Sequence, residues 1–131
     1  MKKRAASFED LVRLMARLRA PGGCPWDREQ THDSLLRYLK EEAEEVSAAV
    51  RKKDWENLKE ELGDILLQIL FHSEIAEERG VFNIYDVLEV LKKKLIRRHP
   101  HVFGKGKKEN LTAEEVKRRW KIIKAAEKSK R

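Results

Sequence analysis

Three features predict an all-α helical bundle of about five helices. Apolar residues recur at helical spacing along most of the chain. Ser7, Asn83 and Thr112 are each followed three residues later by an acidic residue. No segment shows strand-like alternation long enough to compete. Ser7 with Asp10 reads as a capping box for a first helix, whose Phe8, Leu11, Val12, Leu14, Met15 and Leu18 form a broad apolar stripe. Pro21-Gly22-Gly23 ends it, and residues 21–30, containing Cys24-Pro25-Trp26-Asp27, read as a connecting loop. Thr31 or Asp33 starts a second helix running to about Lys53. Asp54 caps a third that runs to about Arg79 and stops at Gly80, in the usual position for a helix-ending glycine. Asn83 with Asp86 opens the fourth, which carries Ile84, Val87, Leu88, Leu91 and Leu95 and stops near His99, because Pro100 restricts the residue before it. Gly104–Asn110 reads as a mobile lysine-rich loop. Thr112 with Glu115 then opens a basic C-terminal helix from about residue 112, bearing Val116, Trp120 and Ile123.

The 131 residues are 40% hydrophobic and 40% charged, which suits one domain, 1–131, with a real core rather than a disordered chain. A single cysteine, Cys24, cannot form an intrachain disulfide and lacks the partners of a zinc cluster. No stretch approaches the roughly 18 apolar residues of a membrane span, and Met1–Phe8 has no signal-peptide core. A soluble, cytoplasmic protein with no membrane partner is expected. The net charge of +7 is unevenly placed: residues 1–91 carry 14 Lys/Arg against 19 Asp/Glu, and residues 92–131 carry 16 against 4. A basic tail of this kind suits a non-catalytic helical interaction protein that binds nucleic acid, and equally a solvated surface or a rim near an anionic ligand.

The third helix is apolar nearly all the way round between Leu62 and Phe71 (LGDILLQILF). A helix greasy on several faces needs neighbours on several faces, which predicts a homo-oligomer, most simply a twofold dimer; a helix central to one subunit is the alternative.

Leu35, Leu39, Val46 and Ala49 define the core line of the second helix, and Glu42 falls at its centre. An ionised carboxylate there is costly unless paired or bound to a cation. Glu45 lies one turn along, with Glu41 beside it. Glu61 and Asp64, also three apart, flank the Leu58/Leu62/Ile65 line of the third helix. If the two helices pack antiparallel across the short joint at Asp54, then Glu42, Glu45, Glu61 and Asp64 converge. Their mutual repulsion raises their pKa values and calls for a hard divalent cation, Mg²⁺ with Mn²⁺ as substitute. Solvated helix charge is the plain alternative, and Lys40–Glu44 is an ordinary pair of that kind. Gly63, in mid-helix, fits close helix approach beside the carboxylates.

A magnesium site this acidic is suited to handling phosphates. Lys94, Arg97 and Arg98 at the end of the fourth helix, and Lys59 near Glu61, are candidate positive partners for a phosphate chain; helix-dipole pairing or solvation is the competing reading. His32, His72, His99 and His101 read as structural or loop-anchoring, and Trp26 as a plug for the bundle's end or a stacking surface. There is no P-loop and no GxGxxG.

Together CPWD at 24–27, KEEAEEV at 40–46, KEELGDILLQILFH at 59–72 and RRHPHVFG at 97–104 resemble the MazG-type nucleoside triphosphate pyrophosphohydrolases over nearly the whole chain. The family pattern EExxE followed by ExxD is met by Glu41, Glu42 and Glu45, then Glu61 and Asp64. The resemblance implies a mostly dimeric all-α enzyme that cleaves NTPs or dNTPs between the α and β phosphates to the monophosphate and pyrophosphate. It implies magnesium on Glu42, Glu45, Glu61 and Asp64, a water-orienting or metal-supporting Glu41, phosphate contacts at Lys94, Arg97 and Arg98, and a role in nucleotide-pool cleaning. Well-known members carry two such domains, and this sequence holds one.

Overall fold

The computed structural model describes residues 6–104 and 110–130; the core of the expected lysine-rich loop, 105–109, lies outside the described residues. The described residues are all-α, with seven helices: α1 (Phe8–Arg19), α2 (Pro25–Glu29), α3 (His32–Lys52), α4 (Trp55–Glu78), α5 (Ile84–Arg98), α6 (Pro100–Phe103) and α7 (Ala113–Ser129). The five expected helices are the long ones. The stretch 21–30 is not all loop: Pro25, expected within that loop, stands at the start of α2, where its missing N–H and fixed φ cost nothing. Pro100 does the same for α6. Both helices are too short to show an apolar period. No helix of the described residues is long and apolar enough to cross a membrane.

The ends follow local chemistry. Ser7 and Asp10 form a reciprocal capping box on α1, as do Thr112 and Glu115 on α7. Thr31 rather than Asp33 caps α3, its hydroxyl accepting from the Ser34 N–H at 3.0 Å. Asp54 accepts from the Asn57 N–H at 3.2 Å, and Asn83 and Asp86 exchange bonds of 2.9 and 3.1 Å at the start of α5. Gly80, at φ +69°, takes the left-handed turn just past α4. Only Lys53 and Asp54 separate α3 from α4, so the two helices must return along one another.

The chain divides into two compact units, Met1–Val87 and Leu88–Arg131. In the first, Met15, Leu35, Leu70, Phe71, Ile75 and Ile84 form the buried core, with Phe8, Leu11, Val12, Tyr38, Leu66 and Val87 packed against it. Arg19 fastens the helix ends around that core. Its guanidinium donates to the carbonyls of Asp27 (2.5 Å) and Gln30 (3.1 Å), grips both Glu78 oxygens (2.7 and 3.0 Å) and lies 5.7 Å from the Phe71 ring. Trp26 meets Tyr38 and Phe71 edge-on and is half exposed, so it caps this end of the core without being sealed in it.

α4 buries Leu70, Phe71, Ile75 and Ala76 but leaves Leu62, Leu67 and Ile69 exposed. Beside them an apolar groove of about 280 Å³ runs between α1 and α4, lined by Leu11, Leu14, Leu18, Gly63, Leu66 and Leu67 among others. A Cβ at Gly63 would meet nothing within 4 Å, so the close approach expected there does not occur within this chain.

In the second unit α7 folds onto the end of α5. The Trp120 indole N–H donates to the Arg98 carbonyl at 2.7 Å, the His99 ring stands edge-on to Trp120, and Glu127 accepts from Arg97 (2.5 Å) and Arg98 (2.8 Å). The two arginines hold the Glu127 carboxyl down at about 2 through their hydrogen bonds.

Arg19 closes three helix ends with one buried side chain, so Arg19→Ala should destabilise the protein by about 2–4 kcal/mol in urea unfolding. Arg19→Lys should recover little, because an ammonium cannot hold two carbonyls and a bidentate carboxylate together.

Candidate metal centre

The antiparallel α3–α4 hairpin brings together three of the expected ligands. One carboxylate oxygen from each of Glu42, Glu61 and Asp64 lies within 4.8 Å of the other two, and all three residues are half-buried. Glu42 stands on the core line of α3, while Glu61 and Asp64 face it from successive turns of α4. The short joint sets this register, since residues equally far from it along the two helices come opposite one another.

Glu42 bears the cost of the arrangement. Its carboxyl is pushed up to about 7, first by burial, then by a hydrogen bond shared with Glu61, and then by the charges of Asp64, Glu61 and Glu45. Glu42 Oε2 is buried and has no hydrogen-bond partner among the described residues. A buried, unpartnered oxygen among crowded carboxylates lacks a positive charge. An all-oxygen donor set suits a hard divalent cation, and ligands about 2.1 Å from magnesium stand at most roughly 4.2 Å apart. The donor chemistry of the three residues fits such an ion.

The other expected residues lie differently. Glu45 is exposed on the flank of α3, outside the trio, although its charge reaches Glu42. Glu41 is exposed too, on the side of Arg37; that guanidinium is held up first by its hydrogen bond to Tyr38 and least by the Glu41 charge. Lys59 pairs with Glu56 at 2.8 Å rather than with Glu61. In the second unit, Lys94 is half-buried, and Arg97 and Arg98 are engaged by Glu127.

Two polar residues next to the trio carry more than their sequence suggested. Gln68, one turn beyond Asp64, is 6% exposed. His72, one turn further, stacks on His32 with rings parallel to 2° and Nδ1 atoms 2.7 Å apart. Gln68 is the lone polar residue in the run LLQILF, a signal visible in the sequence though not used above.

The MazG nucleotide pyrophosphohydrolase domain matches residues 30–103, more than half the chain, and spans all three ligands. The chain is 50% identical, over its whole length and 49% of that protein, to the nucleoside triphosphate pyrophosphohydrolase/pyrophosphatase MazG of Thermotoga maritima. It is 43% identical over 95% of its length to the nucleoside triphosphate pyrophosphohydrolase of Escherichia coli K12, of which it covers 47%. It thus spans about half the length of these curated relatives. The crystal structure of a mazG-related protein from Thermotoga maritima is similar with a TM-score of 0.72 and 31% identity, over 89% of this chain and 98% of that one. With the carboxylates and the hairpin both in place, the chain belongs to the MazG nucleotide pyrophosphohydrolase family.

Proposed function

We propose that this protein hydrolyses nucleoside or deoxynucleoside triphosphates between the α and β phosphates, releasing the monophosphate and pyrophosphate. The observation that carries this reading is the trio of carboxylate oxygens, with Glu42 Oε2 buried and unpartnered among them. Glu42, Glu61 and Asp64 would hold magnesium, with Glu45 on the adjoining flank as the proposed fourth ligand. Magnesium bound there supplies positive charge to the phosphate oxygens and makes nearby water a stronger acid. Glu41 orients the attacking water and accepts its proton as the oxygen closes on the α phosphorus. The charge that builds on the departing pyrophosphate calls for cations. Lys94, Arg97 and Arg98 are proposed for this on their chemistry alone; within the second unit Arg97 and Arg98 pair with Glu127. Such an enzyme clears unwanted nucleotides from the cytoplasmic pool.

The assembly we propose is a homodimer. The α1–α4 groove and the exposed Leu14, Leu62 and Leu67 form one apolar surface, and Gly63 leaves it open to a close neighbour. A second copy presents the same surface, as a twofold contact requires. Leu14 is 56% exposed, so Leu14→Glu leaves the single chain intact; in sedimentation velocity it should convert dimer to monomer.

With ATP and Mg²⁺, ³¹P NMR should show AMP and pyrophosphate as the first products; stepwise release of orthophosphate overturns the reading. Glu42→Gln should lower turnover roughly 100-fold or more while circular dichroism stays unchanged.

The Glu42 carboxyl, about 7 here against an ordinary 4.5, also sets a pH dependence. Between these values the folded chain binds more protons than the unfolded one. Without metal, this residue therefore makes stability fall as pH rises from about 4.5 to 7 and adds no further change above that. Magnesium needs the ionised form, so its stabilisation should grow from pH 6 to pH 8, reaching about 2.7 kcal/mol at a hundredfold excess over Kd. In calorimetry, Glu42→Gln should be more stable than the parent at pH 8 without metal and gain little from MgCl₂.

A further inference from the structure

At the open end of the α3–α4 hairpin, away from the carboxylates, two histidines meet. His32 is the first residue of α3, and His72 lies in the last third of α4. Their ring planes are parallel to 2°, and their Nδ1 atoms stand 2.7 Å apart. Two bare nitrogens repel at that distance, and two N–H groups clash. A single proton must lie between them. The contact therefore requires unlike rings, one with a proton on Nδ1 and the other with a lone pair there.

The surroundings decide what happens as protons are added. His72 shares its wall of the seam with Leu39 of α3, with Gln68, Ile69 and Ser73 of its own helix, and with Phe82 and Val87, none of them charged. Burial, and then the neighbouring His32, hold the His72 pKa below the ordinary imidazole value. On the His32 side, Asp33 follows on α3, and Arg28 and Glu29 end α2; all three are exposed. Arg19, whose guanidinium reaches the Gln30 carbonyl, is engaged by Glu78. Among the described residues neither ring is paired with a carboxylate. One extra proton leaves the bond between the rings intact, as imidazolium to imidazole. A second removes the last Nδ1 lone pair. Two like charges then face each other in half-buried surroundings, one of them at the positive end of a 21-residue helix.

We propose that the His32–His72 pair is a pH-operated latch, which fastens the start of α3 to α4 while the two rings share one proton and releases it when both rings are charged. Once released, the first turn of α3 loses its hold on α4 and frays, because a helix end is stable only against what it packs on. The direction follows from proton counting. With the rings apart and solvated, both take up protons below about pH 6.5, whereas the latched pair holds at most one. The latched form therefore loses ground as pH falls below that value, by at most about tenfold in population ratio per pH unit. Above it the latch adds no pH dependence. Glu42 acts on stability in the opposite sense over part of this range, so the latch is read locally rather than from a global melt.

Histidine ¹⁵N NMR and amide hydrogen exchange on the full chain without metal test this. At pH 8 the two rings should show opposite tautomers, one protonated at Nδ1 and the other at Nε2. The Leu35 amide, which donates to the Thr31 carbonyl at 3.2 Å, reports the first turn of α3. Between pH 7 and pH 5 its protection, corrected for intrinsic exchange, should fall about tenfold, while amides around Met15 in α1 do not follow. His72→Phe keeps a flat ring in place and should abolish the fall. His32→Gln, at the helix end, should do the same, and it decides the matter if His72→Phe does not fold. Like tautomers at pH 8, Leu35 protection independent of pH in the parent, or an equal fall in a folded variant lacking one histidine overturns the latch.

Discussion

Repulsion between Glu42 and the pair Glu61–Asp64, held at one level of a tight helical hairpin, is the constraint on which the rest of the site depends. Two helices joined by Lys53 and Asp54 cannot slide past one another without breaking the Asp54 cap and the left-handed turn at Lys53. The core line of α3 and the acidic pair of α4 are therefore forced together. The chain retains this cost because Leu35, Leu70, Phe71 and Ile75, further along the same seam, bury enough apolar surface to hold the helices in register. The strain on Glu42 is also what a cation relieves.

The ends of the hairpin are secured by different chemistry. At the open end, Arg19 gathers the termini of α1, α2 and α4 through charge-assisted bonds over the Phe71 ring. Between that clasp and the carboxylates lie Gln68 and the His32–His72 pair, polar groups that an otherwise apolar seam would exclude. Each leaves one buried atom unpaired among the described residues, a cost of about 1–3 kcal/mol that the packed seam carries. The long exposed leucines of α1 and α4 form a separate surface, on which the carboxylates make no demand.

The two ends of the chain are opposite in charge and use it differently. In the first unit the acidic residues are set against one another at the seam. In the second, the basic excess is partly spent on the fold itself, since Glu127 holds α7 against α5 by gripping both Arg97 and Arg98. Composition alone cannot distinguish such internal pairing from a surface meant for phosphate.

The sequence by itself determined the five long helices, their caps at Ser7, Asp54 and Thr112, the stop at Gly80, and the convergence of Glu42 with Glu61 and Asp64. All of these follow from periods and spacings within a turn or two of chain, or from the short joint between α3 and α4. The tertiary structure decided what depends on partners distant in sequence. It started short helices at Pro25 and Pro100, left Gly63 open, and placed Glu45 and Glu41 on an exposed flank. It tied Arg97 and Arg98 to a glutamate about thirty residues away, and buried Gln68 Oε1 and His72 Nε2 without a hydrogen-bond partner among the described residues. A carboxylate's spacing can be read from its own helix; whether a buried polar atom is satisfied depends on everything packed around it.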